Sequence, residues 1–134
     1  MADSVQIITY GTLMSGQKNH WYCRNCMGIV PVTFKGTLFD TTFGFPAMIL
    51  EGQTDIKAEL IILPPTAIPD IDRLEGYPKL YGKKLITAKT IYDKATVHGF
   101  VYHMTRQQIR RSFILIPDGD WKTYHKTHYR KEYI

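Results

Sequence analysis

The apolar residues of this chain come in short, β-branched runs closed off by glycine or proline, and that punctuation dictates a strand-rich fold. Residues 5–10 (Val5-Gln6-Ile7-Ile8-Thr9-Tyr10) form one such run, too short for a helix and apolar enough to be buried. It ends in Gly11 and in a glycine-marked turn at Ser15-Gly16. Further strands are expected over 30–38, where Val30, Val32 and Phe34 alternate, over the end of 42–50, and over 57–63, which Pro64-Pro65 stops. Two more are expected over 81–91 and 96–104, joined by a turn at Tyr92-Asp93-Lys94, and a last edge strand over 113–116.

Helical periodicity is rarer. Ile68, Ile71 and Leu74 share one face of a predicted helix over 66–74, with Pro69 tolerated in its first turn and Gly76-Tyr77-Pro78 ending it. A helix is also expected over 17–26, with Ser15 as its N-cap, and a short one over 105–111. Strands outnumber helices about six to two. The expected class is therefore α+β: a small mixed, mostly antiparallel, barrel-like sheet with two or three short helices. Barrels of this size hold ligands in their mouths. The 134 residues are 44% hydrophobic, enough for one packed domain and too much for disorder. No apolar run reaches the roughly 18–20 residues of a membrane helix. Nor is a signal peptide visible at Met1-Ala2-Asp3-Ser4, so the cytoplasm is the expected compartment.

The net charge of +5 is concentrated late. From Met104 onward, seven Lys/Arg stand against three acids. They are interleaved with Trp121, Tyr124, His125, His128, Tyr129 and Tyr133. Basic residues among aromatics can bind nucleic acid, but the favoured reading is a solvated basic aromatic segment, 122–134, whose rings pack on the domain of residues 1–121. Cys23-Arg24-Asn25-Cys26 contains the only cysteines. Zinc needs four ligands, and no second pair or well-spaced histidines exist. A redox pair is expected at a helix start, not inside one. No metal and no cofactor are expected.

Chemistry then falls to carboxylates. No nucleophile elbow, phosphate loop or dinucleotide fingerprint is present. Glu75 follows Ile71 by four residues and is bordered by Tyr77 and Tyr81. If it points to the core side, desolvation would lift its pKa toward neutrality and suit it to proton transfer. A solvated helix-terminal glutamate is the equal alternative. Glu59 is the rival acid. Tyr10-Gly11-Thr12-Leu13 turns from a strand toward a helix and can expose amide N–H groups to an anion, although taken alone an ordinary strand–helix turn is the favoured reading.

These features occur with others in an order that resembles the gamma-glutamylcyclotransferase-like family, as a small bacterial-type member. Tyr10-Gly11-Thr12-Leu13 looks like that family's Tyr-Gly-(Ser/Thr)-Leu loop, and Phe43-Gly44-Phe45-Pro46-Ala47 like its aromatic-Pro-small stretch. Ala58-Glu59-Leu60 is similar to its Gly-Glu-(Val/Leu) strand. Ile71-Asp72-Arg73-Leu74-Glu75-Gly76-Tyr77, followed by Tyr81, is similar to its Leu-Asp-x-x-Glu-Gly-(Tyr/Phe) segment. Gly119-Asp120-Trp121 looks like a closing Gly-Asp-Trp. Lys83 and Ala58 stand where the family often has Arg and Gly. The resemblance implies a cofactor-free enzyme whose small-molecule γ-glutamyl substrate cyclises on itself to 5-oxoproline and releases an amine. Glu75 would be the general acid/base. Tyr10, Gly11, Thr12, Leu13 and Tyr81 would bind substrate. A monomer or weak dimer is expected, with no membrane and no nucleic acid as partner. The alternatives are a non-catalytic binding module on the same fold and a basic nucleic-acid-binding β domain.

Overall fold

The computed structural model describes residues 3–129. Arg130, Lys131, Glu132 and Tyr133 of the basic segment, and Met1 and Ala2, lie outside them. The strands are β1 (Val5–Thr9), β2 (Gly28–Asp40), β3 (Pro46–Leu63), β4 (Gly82–Thr90), β5 (Thr96–His103) and β6 (Ile114–Leu115). Helix α1 spans Ile68–Leu74 and α2 spans Trp121–His128.

The sheet runs β3-β1-β5-β4-β2, and β2 pairs back onto β3, so five strands close into a barrel. β6 extends β2 at its far end through Phe39↔Leu115 and Asp40↔Ile114. The β1–β5 pair is parallel (Ile7↔Phe100, Ile8↔Val101), and the other pairs are antiparallel. Closure removes the exposed edges of an open sheet. It also explains why β1 reads as a continuous apolar run. Ile7 and Ile8 point to opposite faces, and both are about 1% exposed. Ile8, Val32, Ala58, Ala88 and Val101, one from each barrel strand, belong to the inner cluster. Ile7, Ile61, Leu63 and Ile71 belong to a second cluster between the outer wall, α1 and the loop after β1. Two cores share one strand.

Three expectations need correction. The stretches 42–50 and 57–63 are not separate strands but parts of the 18-residue β3. Thr37 pairs with Ile49 while Gly36 pairs with Thr54, so residues 50–53 sit between two registers. The Thr37 hydroxyl bridges that irregularity by donating to the Glu51 carbonyl at 2.6 Å. The polar run Glu51-Gly52-Gln53 mimics a turn in sequence, but pairing on both sides with β2 carries the strand through it.

The helix expected over 17–26 is a single 3₁₀ turn, His20–Cys23. Its amides reach back only three residues: Tyr22 N–H to Asn19, Arg24 to Trp21 and Cys26 to Cys23, at 3.0–3.1 Å. Ser15 does not cap it, because its amide and hydroxyl are committed to Glu59. The helix expected over 105–111 is likewise one 3₁₀ turn, Arg106–Gln108, after which Ile109 returns to extended backbone.

Helix α2 was not expected as a helix. Asp120 caps it, accepting from the Thr123 amide at 3.1 Å and from the Thr123 hydroxyl at 2.9 Å. Trp121, its first residue, is fully buried in the inner cluster, with Tyr124 and Tyr129 packed against it. Both tyrosine hydroxyls donate to the Asp40 carboxylate, at 2.7 and 2.9 Å. The rings of Trp121, Tyr124 and Tyr129 therefore plug one end of the barrel. No helix among the described residues is long and apolar enough to cross a membrane.

Candidate active site

A cavity of about 160 Å³ opens where β1 ends, lined by Tyr10, Gly11, Thr12, Pro46, Glu75, Tyr81 and Tyr102 among others. The volume is below the roughly 300–1,000 Å³ of drug-sized sites and suits a compact ligand.

Glu75 reaches it through a helix-ending motif. Gly76, at φ +65°, follows Glu75 at the C-cap of α1. The Gly76 amide donates to the Arg73 carbonyl (3.1 Å), and the Tyr77 amide to the Asp72 carbonyl (2.9 Å). This paired closure is the Schellman arrangement, which demands a residue comfortable in the left-handed region. It stops α1 with Glu75 turned toward the three tyrosines. Among the described residues the Glu75 carboxyl has neither an ion pair nor a hydrogen bond. Burial alone pushes its pKa up to about 7. Its presence in turn raises the pKa of the Tyr10 and Tyr81 phenols, on top of the larger effect of their own burial.

The loop after β1 lines the same cavity through Gly11 and Thr12. Gly11 approaches Pro46 so closely that a Cβ there would stand 2.6 Å from the proline Cγ. The loop is pinned from behind: the Asn19 amide and side chain donate to the Thr12 carbonyl (2.9 Å) and hydroxyl (3.0 Å), and the His20 ring meets the Leu13 carbonyl at 2.8 Å. The amides of Gly11, Thr12 and Leu13 donate to no described residue. Of the expected site residues, Tyr10, Gly11, Thr12, Glu75 and Tyr81 line one cavity. The Leu13 side chain does not. It is about 1% exposed in the outer core, so only its amide can face the loop's concave side.

The tyrosine hydroxyls are already spent as donors. Tyr10 donates to the Tyr102 carbonyl at 2.8 Å, and Tyr81 to the Pro46 carbonyl at 2.7 Å. Each oxygen keeps lone pairs for a ligand N–H. Tyr102 was not singled out from sequence. Its hydroxyl donates to Asp72 at 2.5 Å, and Asp72 also pairs with Lys83 at 2.8 Å. The strand 96–104 carried no signal that one of its residues would meet Asp72 and the cavity.

The rival acid has a different task. Glu59 is 7% exposed. It accepts from the Ser15 amide (2.7 Å), the Ser15 hydroxyl (2.5 Å) and Lys122 (3.0 Å). Burial opposes its charge, but the Ser15 bonds and Lys122 outweigh burial and hold its pKa below the ordinary value. A carboxylate so saturated anchors a loop and cannot exchange protons near pH 7. Cys23 is fully buried, and burial beside Cys26 pushes its thiol up to about 12, which keeps it protonated and unreactive. Among the described residues no three His, Cys, Asp or Glu gather as a metal would require.

What remains is an uncompensated acid titrating near neutrality and a loop with unused amide donors, both lining one small cavity. That set can move a proton and stabilise a developing oxyanion. Residues 7–123 match the model of a family described as gamma-glutamyl cyclotransferase, AIG2-like. A Vibrio cholerae protein named provisionally as a gamma-glutamylcyclotransferase is 26% identical over 117 residues, covering 86% of this chain and 93% of its own. The gamma-L-glutamyl-butirosin B gamma-glutamyl cyclotransferase of Niallia circulans is 26% identical over 132 residues, covering 91% and 78%. The fold is shared with a mouse AIG2-like protein (TM-score 0.71, 17% identity, 88% of each chain). It is also shared with YkqA of Bacillus subtilis (TM-score 0.73, 23% identity), where 96% of this chain spans 43% of that longer one.

Proposed function

Because the chain belongs to the gamma-glutamyl cyclotransferase, AIG2-like family, we propose that it releases amines from γ-glutamyl substrates by closing the glutamyl group to 5-oxoproline, with Glu75 as general acid/base. The observation that supports this reading is that one cavity is lined both by the unpartnered Glu75 carboxyl and by the Gly11–Thr12 loop, whose amides donate to no described residue.

The substrate enters with its α-nitrogen as an ammonium, which cannot attack. At neutral pH about half of Glu75 is ionised, and the carboxylate takes a proton from it. The lone pairs of Tyr10 and Tyr81 accept from the same nitrogen and hold it over the γ-carbonyl. The nitrogen bonds to the γ-carbon, and the carbonyl electrons move onto oxygen. The amides of Gly11, Thr12 and Leu13 stabilise that oxyanion. Glu75, protonated by the first transfer, gives that proton to the leaving nitrogen as the carbon–nitrogen bond breaks, and the regenerated carboxylate takes the second proton from the ring nitrogen and passes it to the freed amine. Of the ammonium's three protons one stays on the lactam, and two leave with the departing RNH₃⁺. Ring closure within one molecule needs no protein nucleophile. Correct orientation alone is worth effective molarities of roughly 10⁵–10⁸ M.

The test is 5-oxoproline release from γ-glutamyl amides, followed by liquid chromatography and mass spectrometry. Glu75→Gln keeps the side chain's shape and removes its titration, and should slow release by about 10²–10⁴-fold. Release by this variant at the wild-type rate would remove Glu75 from the mechanism.

A further inference from the structure

A second, wider groove adjoins the cavity, and the two share Thr12 and Lys18 as a common wall. The groove continues past Ser15 and Gly44 to Lys122 and Lys126 of α2. Its lining contains three lysines and no carboxylate. Lys122 and Lys126, four residues apart, project from one face of α2.

The acids that could neutralise this face are turned away. Glu59 is consumed by Ser15 and Lys122. Asp40 accepts from Tyr124 and Tyr129, and Asp120 caps the helix through Thr123. Lys18 and Lys126 form no salt bridge with any described residue. Lys18 reaches across the passage between cavity and groove. Its Nζ lies 3.1 Å from where a Cβ on Gly44 would be. The amine portion of a γ-glutamyl group seated against Glu75 passes Lys18 where it leaves the cavity into this groove.

We propose that the groove receives the leaving amine and selects those that carry an anionic group. This inference rests on the cyclotransferase reading above and adds the substrate class. An anion on the amine side meets two uncompensated ammonium groups, whereas a cationic amine meets the same field as repulsion. At partial solvent exposure each lysine contributes modestly, and the sum should be about tenfold in kcat/KM between anionic and neutral amines. The preference should shrink as salt screens it.

Four γ-glutamyl amides of similar length test it: those of β-alanine, O-phosphoethanolamine, propylamine and putrescine. The expected order is anionic above neutral above cationic, with the carboxylate and phosphate arms telling which anion the groove prefers. Lys126→Glu, at an exposed position, should erase or invert the order, and 0.5 M NaCl should compress it. Turnover of all four at equal kcat/KM, or a wild-type order retained by Lys126→Glu, overturns the inference and leaves the cyclotransferase reading intact. If none releases 5-oxoproline, calorimetric affinities of the wild-type protein for the same four compounds decide. Tighter binding of the anionic pair upholds the groove while the reaction fails, and equal affinities sink both.

Discussion

Removing the Glu75 charge should make the protein inactive and, above neutral pH, more stable. In the unfolded chain this carboxyl ionises near its ordinary value of 4.5, whereas in the folded protein burial holds it to about 7. Between those values the folded state keeps a proton that the unfolded state has released. The folded state binds more protons, so stability falls as pH rises through this window and levels off above it. At ~1.4 kcal/mol per pH unit the full displacement is worth about 3 kcal/mol, and partial exposure of the residue reduces this to about 2 kcal/mol. Glu75→Gln cannot lose that proton. Urea unfolding of both proteins at pH 4 and pH 8 gives the answer. The gap between them should grow by about 2 kcal/mol in favour of the variant at pH 8, roughly a 1 M shift in midpoint at a typical urea slope. Parallel pH dependences would mean a solvated carboxyl, and the cavity argument would fall with it. Wild-type kcat/KM should climb as pH rises through about 7, because the base form is needed to accept the substrate's proton.

Other perturbations probe the parts that hold this acid and the loop lining the same cavity. Gly11→Ala puts a Cβ 2.6 Å from Pro46 Cγ, so the loop must move; a loss of roughly 1–3 kcal/mol and a fall in kcat are expected from thermal melts and 5-oxoproline release. Gly76→Ala, at φ +65°, should cost about 1 kcal/mol by the same melts and lower activity by shifting Glu75. Trp121→Ala empties the barrel's plugged end and should cost about 3–5 kcal/mol in urea unfolding, whereas a ring merely resting on the surface would cost little. Glu59→Gln removes a carboxylate whose folded pKa is depressed. Its stabilising effect is present above the unfolded value near 4.5 and lost as pH falls through the lower folded one, so the variant should have a flatter acid limb in pH-dependent unfolding.

Local chemistry was enough to read much of this molecule. The β-branched run 5–10, the strands near 81–91 and 96–104, and the helix ending in Glu75-Gly76 are specified by side-chain branching, periodicity and a glycine free to adopt positive φ, all properties of neighbouring residues. Glu75 and residues 10–13 stand out on the same terms, and resemblance ordered them into one family. Pairing partners decided the rest. Residues 50–53 look like a turn until β2 binds on both sides of them, and residues 17–26 look helical until Glu59, 44 positions from Ser15, claims its amide and hydroxyl. Trp121 looks like one ring in a basic tail until the barrel offers an open end to fill. The Glu75 pKa belongs to this second class. A carboxyl's charge is set by what surrounds it, and Tyr10, Tyr81 and Tyr102 reach it only after the sheet has closed.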